Sequence, residues 1–335
     1  MNVGIIGAGL QGWRRARALR EFDDTNLVIT ADTDQERATL LADEMRCQVT
    51  TDWEEVAKRE DVEIVLICTP PHLHTPMAIE ALKRGKHVLC EKPLALRIEE
   101  ANEIVDTAQA NGVKLKCGLN LRHHPGIQQA REWLDEGAIG EPIFLRCRYG
   151  IGGRPGYEKE WRMIPEISGG GQLMDQGIHV LDLARWFLGD FTEAFGFLQT
   201  GFWNIAPLED NAFALLRTEK EKVASIHVSW TQWRNLFSFE IFGEEGYIIV
   251  KGLGGSYGTE KAALGKRVFL EPFREEVIEF RGEDYSWREE WREFVSAIKE
   301  NREPLGNGND GVEALKLAQS IYNSAQKGSV IRIEE

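Results

Sequence analysis

The chain opens with Val3-Gly4-Ile5-Ile6-Gly7-Ala8-Gly9-Leu10-Gln11-Gly12, an apolar run that leads directly into a glycine-rich turn. A second apolar run, residues 27–31, ends at the acidic Asp32, about 20 residues after the turn. This order is typical of a dinucleotide-binding unit, in which a strand ends at the first glycine and a helix then presents its N–H groups to phosphates. We therefore predict that the cofactor-binding residues of this turn are Gly7, Gly9, Leu10, Gln11 and Gly12.

Asp32 bears on which dinucleotide is bound. A carboxylate at the end of the second strand accepts from both ribose hydroxyls of NAD, but it faces the 2′-phosphate of NADP. Two such charges about 5 Å apart repel by roughly 3 kcal/mol at an effective dielectric near 20, more than a hundredfold in affinity. Thr33 adds no compensating charge, although Arg37 in the next helix could supply one. The sequence favours NAD over NADP.

Composition places the chain among globular proteins with large cores. Its 335 residues, of which 42% are hydrophobic, are enough for two domains. The N-terminus enters a strand at once and no run of about 18 apolar residues follows, so we expect neither leader nor membrane span. The net charge of −14 disfavours nucleic acid and anionic membranes. Five cysteines without a CxxC pair are expected to be reduced, as in a cytoplasmic protein.

The pattern changes along the chain. Up to residue 118, buried strands alternate with amphipathic helices, the strands being residues 3–6, 27–31, 64–68, 87–90 and 114–117. This alternation predicts an α/β Rossmann domain with a parallel, doubly wound sheet over residues 1–118, which binds NAD.

After residue 140, short segments of period two predict an open, mainly antiparallel sheet. They are residues 142–149, 211–218, 223–230, 236–242 and 246–250. Helices are predicted at residues 125–136, 171–188, 286–299 and 311–326. We expect an α+β domain over residues 119–335 for substrate binding and oligomerisation, with its C-terminal helices as candidates for packing back on the first domain.

Two of the predicted parallel strands end in chemically suggestive sequences. Residues 64–68 lead into Thr69-Pro70-Pro71-His72-Leu73-His74, and residues 87–90 lead into Glu91-Lys92-Pro93. Carboxyl ends of parallel strands form the ligand-binding edge of such sheets, and the proline would aim the lysine at the nicotinamide side. The candidates for cofactor contact at this edge are Thr69, Pro70, His74, Glu91 and Lys92. A solvated loop lysine and structural roles for His72 and His74 are the alternatives.

A second motif precedes the predicted helix 171–188. Gly169, Gly170 and Gly171 are followed by Asp175, His179 and Asp182, whose spacings of four and three place them on one helical face. The flanking residues are apolar, so the helix is buried and its polar face needs a cavity or partner. A surface Asp/His pair after capping glycines is the alternative. No second histidine stands at ligand spacing, and no metal is predicted.

These motifs together resemble the family of glucose–fructose oxidoreductase and inositol dehydrogenase. Residues 120–125 (Asn-Leu-Arg-His-His-Pro), the pair Trp161-Arg162 and the late stretch 304–315 resemble it as well, so the likeness runs nearly end to end. The resemblance implies a Rossmann domain followed by an open-sheet domain that often forms the oligomer interface, and hence a homodimer or homotetramer through the C-terminal sheet. The family often has histidine near position 15, where this chain has Arg15.

The resemblance also implies that Lys92, Asp175 and His179 form the catalytic group. Oxidising a secondary alcohol requires a base near neutral pKa at the hydroxyl, and histidine suits this role. We therefore assign proton acceptance to His179, sugar-hydroxyl binding or orientation to Asp175, and stabilisation of the reacting oxygen to Lys92. Lys92 and His179 could exchange roles, since a desolvated lysine can also lose its proton. Asp182 would support the site at most.

Substrate candidates cluster in the glycine-rich stretch 150–162. Aromatic faces suit the C–H surfaces of a sugar, whereas arginines could bind a carboxylate, sulfonate or diphosphate. Alternatively, the arginines pair with Glu158, Glu160 and Glu166. The substrate-binding candidates, including the catalytic group, are Lys92, Arg122, His123, Arg154, Tyr157, Trp161, Arg162, Asp175 and His179.

Three functions are compatible with these residues. The leading one is an NAD-dependent oxidoreductase acting on a ring secondary alcohol of a sugar, sugar acid, nucleotide sugar or cyclitol. The second is a redox-neutral NAD-dependent glycosidase, which oxidises, eliminates and re-reduces without net NADH. The third is a noncatalytic NAD-binding regulatory protein, against which the presence of both Lys92 and His179 argues.

Overall fold

The computed structural model describes residues 1–333 and divides the chain into two compact units. The first unit contains Met1–Asn120 together with Trp287–Val312. The second contains Leu121–Ser286 and the chain from Glu313 onward. Each unit is built on one β-sheet. No helix within residues 1–333 combines the length and apolarity needed to cross a membrane.

The sheet of the first unit has six strands, all parallel, in the order β3-β2-β1-β4-β5-β6. The strands are β1 Asn2–Ile6, β2 Asn26–Ala31, β3 Gln48–Thr50, β4 Ile64–Ile67, β5 His87–Glu91 and β6 Leu115–Gly118. Strand β4 is buried at every position, as expected where helices cover both faces of a parallel sheet. The predicted doubly wound α/β fold is confirmed.

Helices connect these strands. They are α1 Leu10–Leu19, α2 Gln35–Met45, α3 Trp53–Lys58, α4 His74–Lys83 and α5 Ile98–Ala110. A late helix, which we number α9 by its place in the chain (Ser286–Lys299), also contributes to this unit. Its Trp291 and Phe294 are buried in one apolar cluster with Val3, Ile5 and Leu89. The core of the first unit therefore contains residues from both ends of the chain.

The sheet of the second unit has nine strands in the order β14-β13-β12-β11-β7-β10-β9-β8-β15. The strands are β7 Pro142–Gly150, β8 Phe191–Gln199, β9 Asn211–Thr218, β10 Val223–Ser229, β11 Leu236–Gly243, β12 Gly246–Lys251, β13 Glu260–Lys266, β14 Glu275–Phe280 and β15 Ile331–Arg332. Strands β7 and β10 pair in parallel, and the other pairs between described strands are antiparallel. The predicted mainly antiparallel sheet is confirmed.

The remaining α-helices are α6 Pro125–Asp135, α7 Pro165–Ser168, α8 Ile178–Leu188 and α10 Gly308–Lys327. Single 3-10 turns occupy Pro71–Leu73, Asn120–His123, Tyr157–Lys159 and Trp161–Met163. The helix predicted for residues 171–188 is present from residue 172 onward, but it is not α-helical throughout. Leu173–Gly177 forms a π-helical segment, and α8 begins only after it.

Candidate active site

The three glycines of the N-terminal turn differ in what a Cβ atom would meet at each position. Gly7 has a φ of 101°, and a Cβ there would lie 2.8 Å from the Cys68 carbonyl. A Cβ on Gly12 would lie 2.0 Å from the Gly7 carbonyl oxygen, so Gly12 allows α1 to pack against the strand end. Gly9 has nothing within 4 Å of its Cβ position. The space in front of Gly9 is therefore open to a ligand that must approach the backbone closely.

The start of α1 fits an anionic ligand. Gly9 is the N-cap and provides no side-chain cap, and the first turn carries no acidic residue. The N–H groups and the positive end of the helix dipole are thus available to phosphate oxygens. Leu10, the first helical residue, is exposed. These features fit the pyrophosphate of a dinucleotide.

Asp32 is fixed beside this turn by its own hydrogen bonds. Its Oδ2 accepts the N–H of Ala8 at 2.7 Å, and its Oδ1 accepts the N–H of Asp34 at 2.9 Å. The carboxylate thus orients the glycine turn and keeps lone pairs for ribose hydroxyls. Arg37 pairs with Asp34, its Nε lying 3.1 Å from Oδ2 of that residue. The cation that could have neutralised Asp32 is engaged by another carboxylate.

His74 joins the ends of β4 and β5 from inside the unit. Its Nδ1 lies 2.9 Å from the Pro93 carbonyl oxygen, and its Nε2 lies 2.9 Å from the Thr69 carbonyl oxygen. The side chain is fully buried, and burial lowers its pKa. Both ring nitrogens of His74 thus face backbone oxygens, which suits the structural alternative, and its cofactor contact stays a prediction. Thr69 and Pro70 stay partly exposed at the strand end.

Glu91 is likewise turned inward. It is buried and accepts from Arg15 Nη2 at 2.7 Å and from Nε at 2.9 Å. Arg15 also bonds through Nη1 to the fully buried Glu290 of α9. Burial alone would lower the pKa of Arg15, but the Glu290 and Glu91 carboxylates raise it well above its ordinary value. Glu91 thus has an internal ion partner, and its cofactor contact stays a prediction.

Lys92 follows this buried carboxylate at the end of β5. The Lys92–Pro93 peptide bond is cis, and the Lys92 side chain is partly buried.

Glu290, the second carboxylate partner of Arg15, lies 275 residues after Arg15 in the sequence. No local pattern in the sequence marks Glu290, so sequence reasoning missed it.

In the second unit, a buried glutamate fixes the glycine turn before the π-helical segment. Glu209 accepts N–H groups from Gly171 at 3.3 Å and Leu173 at 2.9 Å, and the Tyr322 hydroxyl at 2.8 Å. A Cβ on Gly171 would lie 2.2 Å from the Glu209 carbonyl oxygen, which explains the glycine. Burial raises the pKa of Glu209. This residue was also missed, because it lies 36 residues from Leu173 in sequence.

Asp175 lies within the π-helical segment, and His179 lies in the first turn of α8. The Asp175 side chain is about a quarter exposed, with its Oδ1 4.0 Å from Arg162 Nε. His179 is buried. Single π-turns occur frequently at functional sites, where they displace side chains from regular helical positions. The spacing argument for an α-helix therefore does not apply between these two residues.

Asp182 and Arg122 form a buried ion pair. Arg122 donates through Nη2 to Asp182 Oδ1 at 2.6 Å and through Nε to Oδ2 at 2.8 Å. The guanidinium also lies 5.1 Å above the Trp186 ring. Such a bidentate pair satisfies both charges, and the role of Arg122 as a substrate ligand stays a prediction. His123 is buried as well.

The glycine-rich stretch 150–162 carries its own charge partners. Arg154 lies 2.5 Å from Glu160, and Arg162 lies 3.5 Å from the same carboxylate. Arg162 also covers the Trp161 ring at 4.5 Å. Tyr157 is buried, and burial raises its pKa. The alternative that these arginines pair with nearby glutamates is the arrangement seen, with Glu160 as the shared partner.

A cavity of about 360 Å³ lies in the second unit beside the glycine turn. Gly169, Gly170, Gln199, Glu209 and Tyr322 are among its lining residues. Neither Asp175 nor His179 lines it, so we do not assign the reaction to this cavity. Within residues 1–333, no three His, Cys, Asp or Glu side chains are grouped as metal ligands.

Comparison with known proteins agrees with both units. Residues 1–119 match the family described as "Oxidoreductase family, NAD-binding Rossmann fold", and residues 127–249 match "GFO/IDH/MocA C-terminal domain". The levoglucosan dehydrogenase of Pseudarthrobacter phenanthrenivorans is 29% identical over 285 residues, which cover 74% of this chain and 73% of that protein. The 2,7-anhydro-N-acetylneuraminate hydratase of Escherichia coli is 29% identical over 265 residues, or 76% and 66% of the two chains.

A solved structure extends this similarity over the whole length. The complex of levoglucosan dehydrogenase with NADH and levoglucosan matches with a TM-score of 0.91 at 26% identity. The match covers 100% of this chain and 99% of the other. Similarity at this level includes both domains in their sequence order.

Proposed function

Because this chain belongs to the GFO/IDH/MocA oxidoreductase family, we propose that it transfers a hydride between NAD and a ring secondary alcohol of a sugar or cyclitol. The proposal rests on one observation: the chain matches both family domains and also has Lys92, Asp175 and His179. We further propose that residues 1–118 hold the cofactor and residues 119–335 the substrate.

Bound NAD supplies the acceptor for the hydride that leaves the alcohol carbon. Its pyrophosphate would be held by the turn at Gly7, Gly9 and Gly12 and by the start of α1, and its ribose by Asp32. The fixed Asp32 carboxylate and the engagement of Arg37 by Asp34 favour NAD over NADP. A 2′-phosphate about 5 Å from Asp32 would be repelled by roughly 3 kcal/mol.

The chain's own residues would handle the proton and the charge. His179 takes the hydroxyl proton, since histidine exchanges protons near neutral pH with little tuning. Lys92 donates a hydrogen bond to the reacting oxygen and stabilises the negative charge that develops there. Asp175 orients the sugar through a neighbouring hydroxyl.

We propose that the substrate is uncharged. Arg154 and Arg162 share Glu160, Arg162 also lies near Asp175, and Arg122 is fully engaged by Asp182. An anionic sugar would have to displace one of these carboxylates from its arginine, whereas a neutral polyol needs only hydrogen bonds. The levoglucosan dehydrogenase among the relatives is consistent with this class.

A redox-neutral reaction is the second candidate, supported by the relative named 2,7-anhydro-N-acetylneuraminate hydratase. Oxidation beside an acidic C–H would allow elimination, after which the hydride returns. The same three residues would serve both reactions. The two differ in their products, since only the dehydrogenase accumulates NADH.

The deciding experiment measures nicotinamide absorbance while purified protein is incubated with NAD and a panel of neutral, acidic and nucleotide-linked sugars, cyclitols and glycosides. Product analysis of the same samples detects redox-neutral cleavage. Lys92→Ala and His179→Ala should each lower kcat at least about a hundredfold while NAD binding persists. His72→Ala, which changes an exposed histidine, is the matched control. Unchanged turnover in either site variant would remove the assigned role, and a parent that binds NAD without any turnover would favour a regulatory protein.

We propose that two or four copies assemble through the C-terminal sheet. Phe197 of β8 stands opposite Phe213 of β9, and both are exposed with the neighbouring Leu215. A row of apolar side chains on one sheet face is typical of an interface between copies. Sedimentation velocity of Leu215→Glu should show a smaller species than the parent, whereas Leu40→Glu on α2 should not.

We also propose that the protein works in the cytoplasm on a small molecule and without nucleic acid. Its five cysteines are free thiols, as is usual in a reducing compartment. Its net charge of −14 repels polyanions.

A further inference from the structure

Two aromatic side chains of the second unit stand side by side in solvent. Phe202 and Trp233 are each 62% exposed, and their ring centroids lie 4.7 Å apart with the planes at 82°. Large rings are ordinarily buried, because each removes roughly 150–250 Å² of surface from water. The pair therefore offers an apolar surface to a ligand.

The backbone holds Trp233 in an unusual conformation. Its φ is 58°, in the left-handed region that bulky residues rarely adopt. Gly152 permits close packing against it, because a Cβ at Gly152 would lie 3.3 Å from the Trp233 Cα. The N–H of Gln232 bonds to the Ile151 carbonyl oxygen at 3.1 Å. A bulky residue in such a conformation carries an energetic cost, and such residues cluster at ligand-binding sites.

A buried carboxylate fixes Phe202. Asp210 accepts the N–H groups of Gly201, Phe202 and Trp203 at distances of 2.8, 2.8 and 3.0 Å. Burial raises the pKa of Asp210, but these backbone bonds together bring it below its ordinary value. The loop is thus organised around an ionised group before any ligand arrives, and little order has to be gained on binding.

A series of ring contacts leads inward from this pair. Phe202 contacts Trp203 at 5.2 Å, and Trp203 contacts the buried Tyr157 at 6.0 Å between centroids. Burial raises the pKa of Tyr157, and the nearby Asp175 carboxylate raises it further. Arg162, five residues after Tyr157 in the same stretch 150–162, has its Nε 4.0 Å from Asp175 Oδ1, so the series leads to the segment that contacts the carboxylate we assign to sugar binding.

The residues beside the two rings are suited to sugar hydroxyls. The loops 199–204 and 231–235 carry four amide side chains and one charged residue, Arg234. Amides both donate and accept hydrogen bonds, and aromatic faces attract polarised C–H groups. We infer that Phe202 and Trp233 form a stacking surface for a second sugar ring, so that the substrate is a glycoside or disaccharide. This inference rests on the proposed function, since the first ring is the one oxidised.

The test compares a monosaccharide with its disaccharides. The probes are glucose with cellobiose, maltose and gentiobiose, together with the most active monosaccharide of the panel and disaccharides that contain it. Calorimetry gives the Kd of each probe for the NAD-loaded protein and for the protein without NAD. We expect at least one disaccharide to bind about tenfold more tightly than its monosaccharide. That advantage should fall to about onefold in Phe202→Ala and Trp233→Gly.

The variants are chosen to keep the fold. Trp233→Gly removes the ring and places glycine where the left-handed backbone suits it, so its stability should not fall. Phe269→Ala, which removes another exposed ring of the second unit, should leave the disaccharide advantage unchanged. Monosaccharide turnover should stay at the parent level in all three variants.

Several outcomes would overturn the inference. The first is that no disaccharide binds the parent more tightly than its monosaccharide. The second is that the tighter binding persists in both Phe202→Ala and Trp233→Gly. The third is that these two variants change the oligomer size on sedimentation without changing sugar affinity. The last would make the pair a contact between copies. If monosaccharide is oxidised and the advantage is missing, only the stacking surface fails. If disaccharides bind through the rings but no sugar is turned over, only the proposed function fails.

Discussion

Arg15→Met tests the buried charge cluster of the first unit. Arg15, Glu91 and Glu290 are all buried, so the substitution leaves two carboxylates without their cation. At 2.7 Å between Arg15 Nη2 and Glu91 Oε1, the attraction at an effective dielectric of 20 is about 6 kcal/mol before desolvation. Breaking a buried pair by removing one partner costs about 3–5 kcal/mol in measured cases. We expect a loss of this size at pH 7.

The loss should depend on pH in a defined direction. Without Arg15, the buried Glu290 carboxyl can become neutral by taking up a proton, at a cost near 1.4 kcal/mol per pH unit above its ordinary pKa. Burial already raises the pKa of Glu290 in the parent, and removing the cation raises it further. A raised carboxyl pKa favours the folded state at low pH and loses that contribution as pH rises. The deficit should therefore shrink by up to about 2.7 kcal/mol between pH 7 and pH 5 through protonation of Glu290.

The assay is urea unfolding of parent and variant at both pH values, followed by tryptophan fluorescence and by NAD binding. Arg20→Met is the matched control, because Arg20 pairs with Glu44 at the surface, where the two side chains are 44% and 48% exposed. Such pairs contribute about 0–1 kcal/mol. The reasoning is refuted if Arg15→Met lies within 1 kcal/mol of the parent at pH 7, or if its deficit is the same at pH 5.

Three further predictions concern the cofactor end of the first unit. Gly9→Ala should leave the free energy of unfolding unchanged and weaken NAD binding at least tenfold in a titration. Gly12→Ala should lower the free energy of unfolding by about 1–3 kcal/mol. Asp32→Asn keeps an acceptor for the Ala8 N–H and should reduce the preference for NAD over NADP, measured as a ratio of Kd values, by more than tenfold; a parent that prefers NADP contradicts this. Burial lowers the pKa of His74, so its contribution to the free energy of unfolding is complete above about pH 6.5 and is lost as pH falls through the lowered pKa. In His74→Gln, the free energy of unfolding should therefore fall less steeply with decreasing pH than in the parent.

Much of the first unit could be predicted because its strands are short apolar runs between helical segments. The glycine turn and Asp32 lie within one βαβ unit, where local order determines the geometry. Strand β3, Gln48–Thr50, was missed because it has three residues, two of them exposed. A strand this short and this polar gives no periodic signal.

Prediction was weaker in the second unit, for two physical reasons. Strands β13 and β14 carry charged residues at exposed positions, so their apolar alternation is faint. In β8, the pattern is interrupted by Gly196, which is needed because a Cβ there would lie 2.6 Å from Ile321. Neither constraint can be read from neighbouring residues.

The candidate site divides in the same way. Residue types at Lys92, Asp175 and His179 pointed to acid–base chemistry, and their roles remain predictions. The sequence could not show which polar residues form buried ion pairs within the protein. Arg122 pairs with Asp182, 60 residues away in sequence, and Arg15 pairs with Glu290, 275 residues away. Such pairings depend on tertiary structure, and a π-helical turn also leaves no mark in side-chain periodicity.

The placement of α9 has a consequence for synthesis. Translation at roughly 5–20 residues per second separates Arg15 from Glu290, 275 positions later, by roughly 14–55 s. During that interval the nascent first unit lacks Trp291 and Phe294 from its apolar cluster and one of the two carboxylates of Arg15. Eight of the nine described strands of the second sheet, all except β15, leave the ribosome before α9 does. The nascent protein therefore spends this interval with an incomplete N-terminal core, and transiently exposed apolar surface of this kind is prone to aggregation.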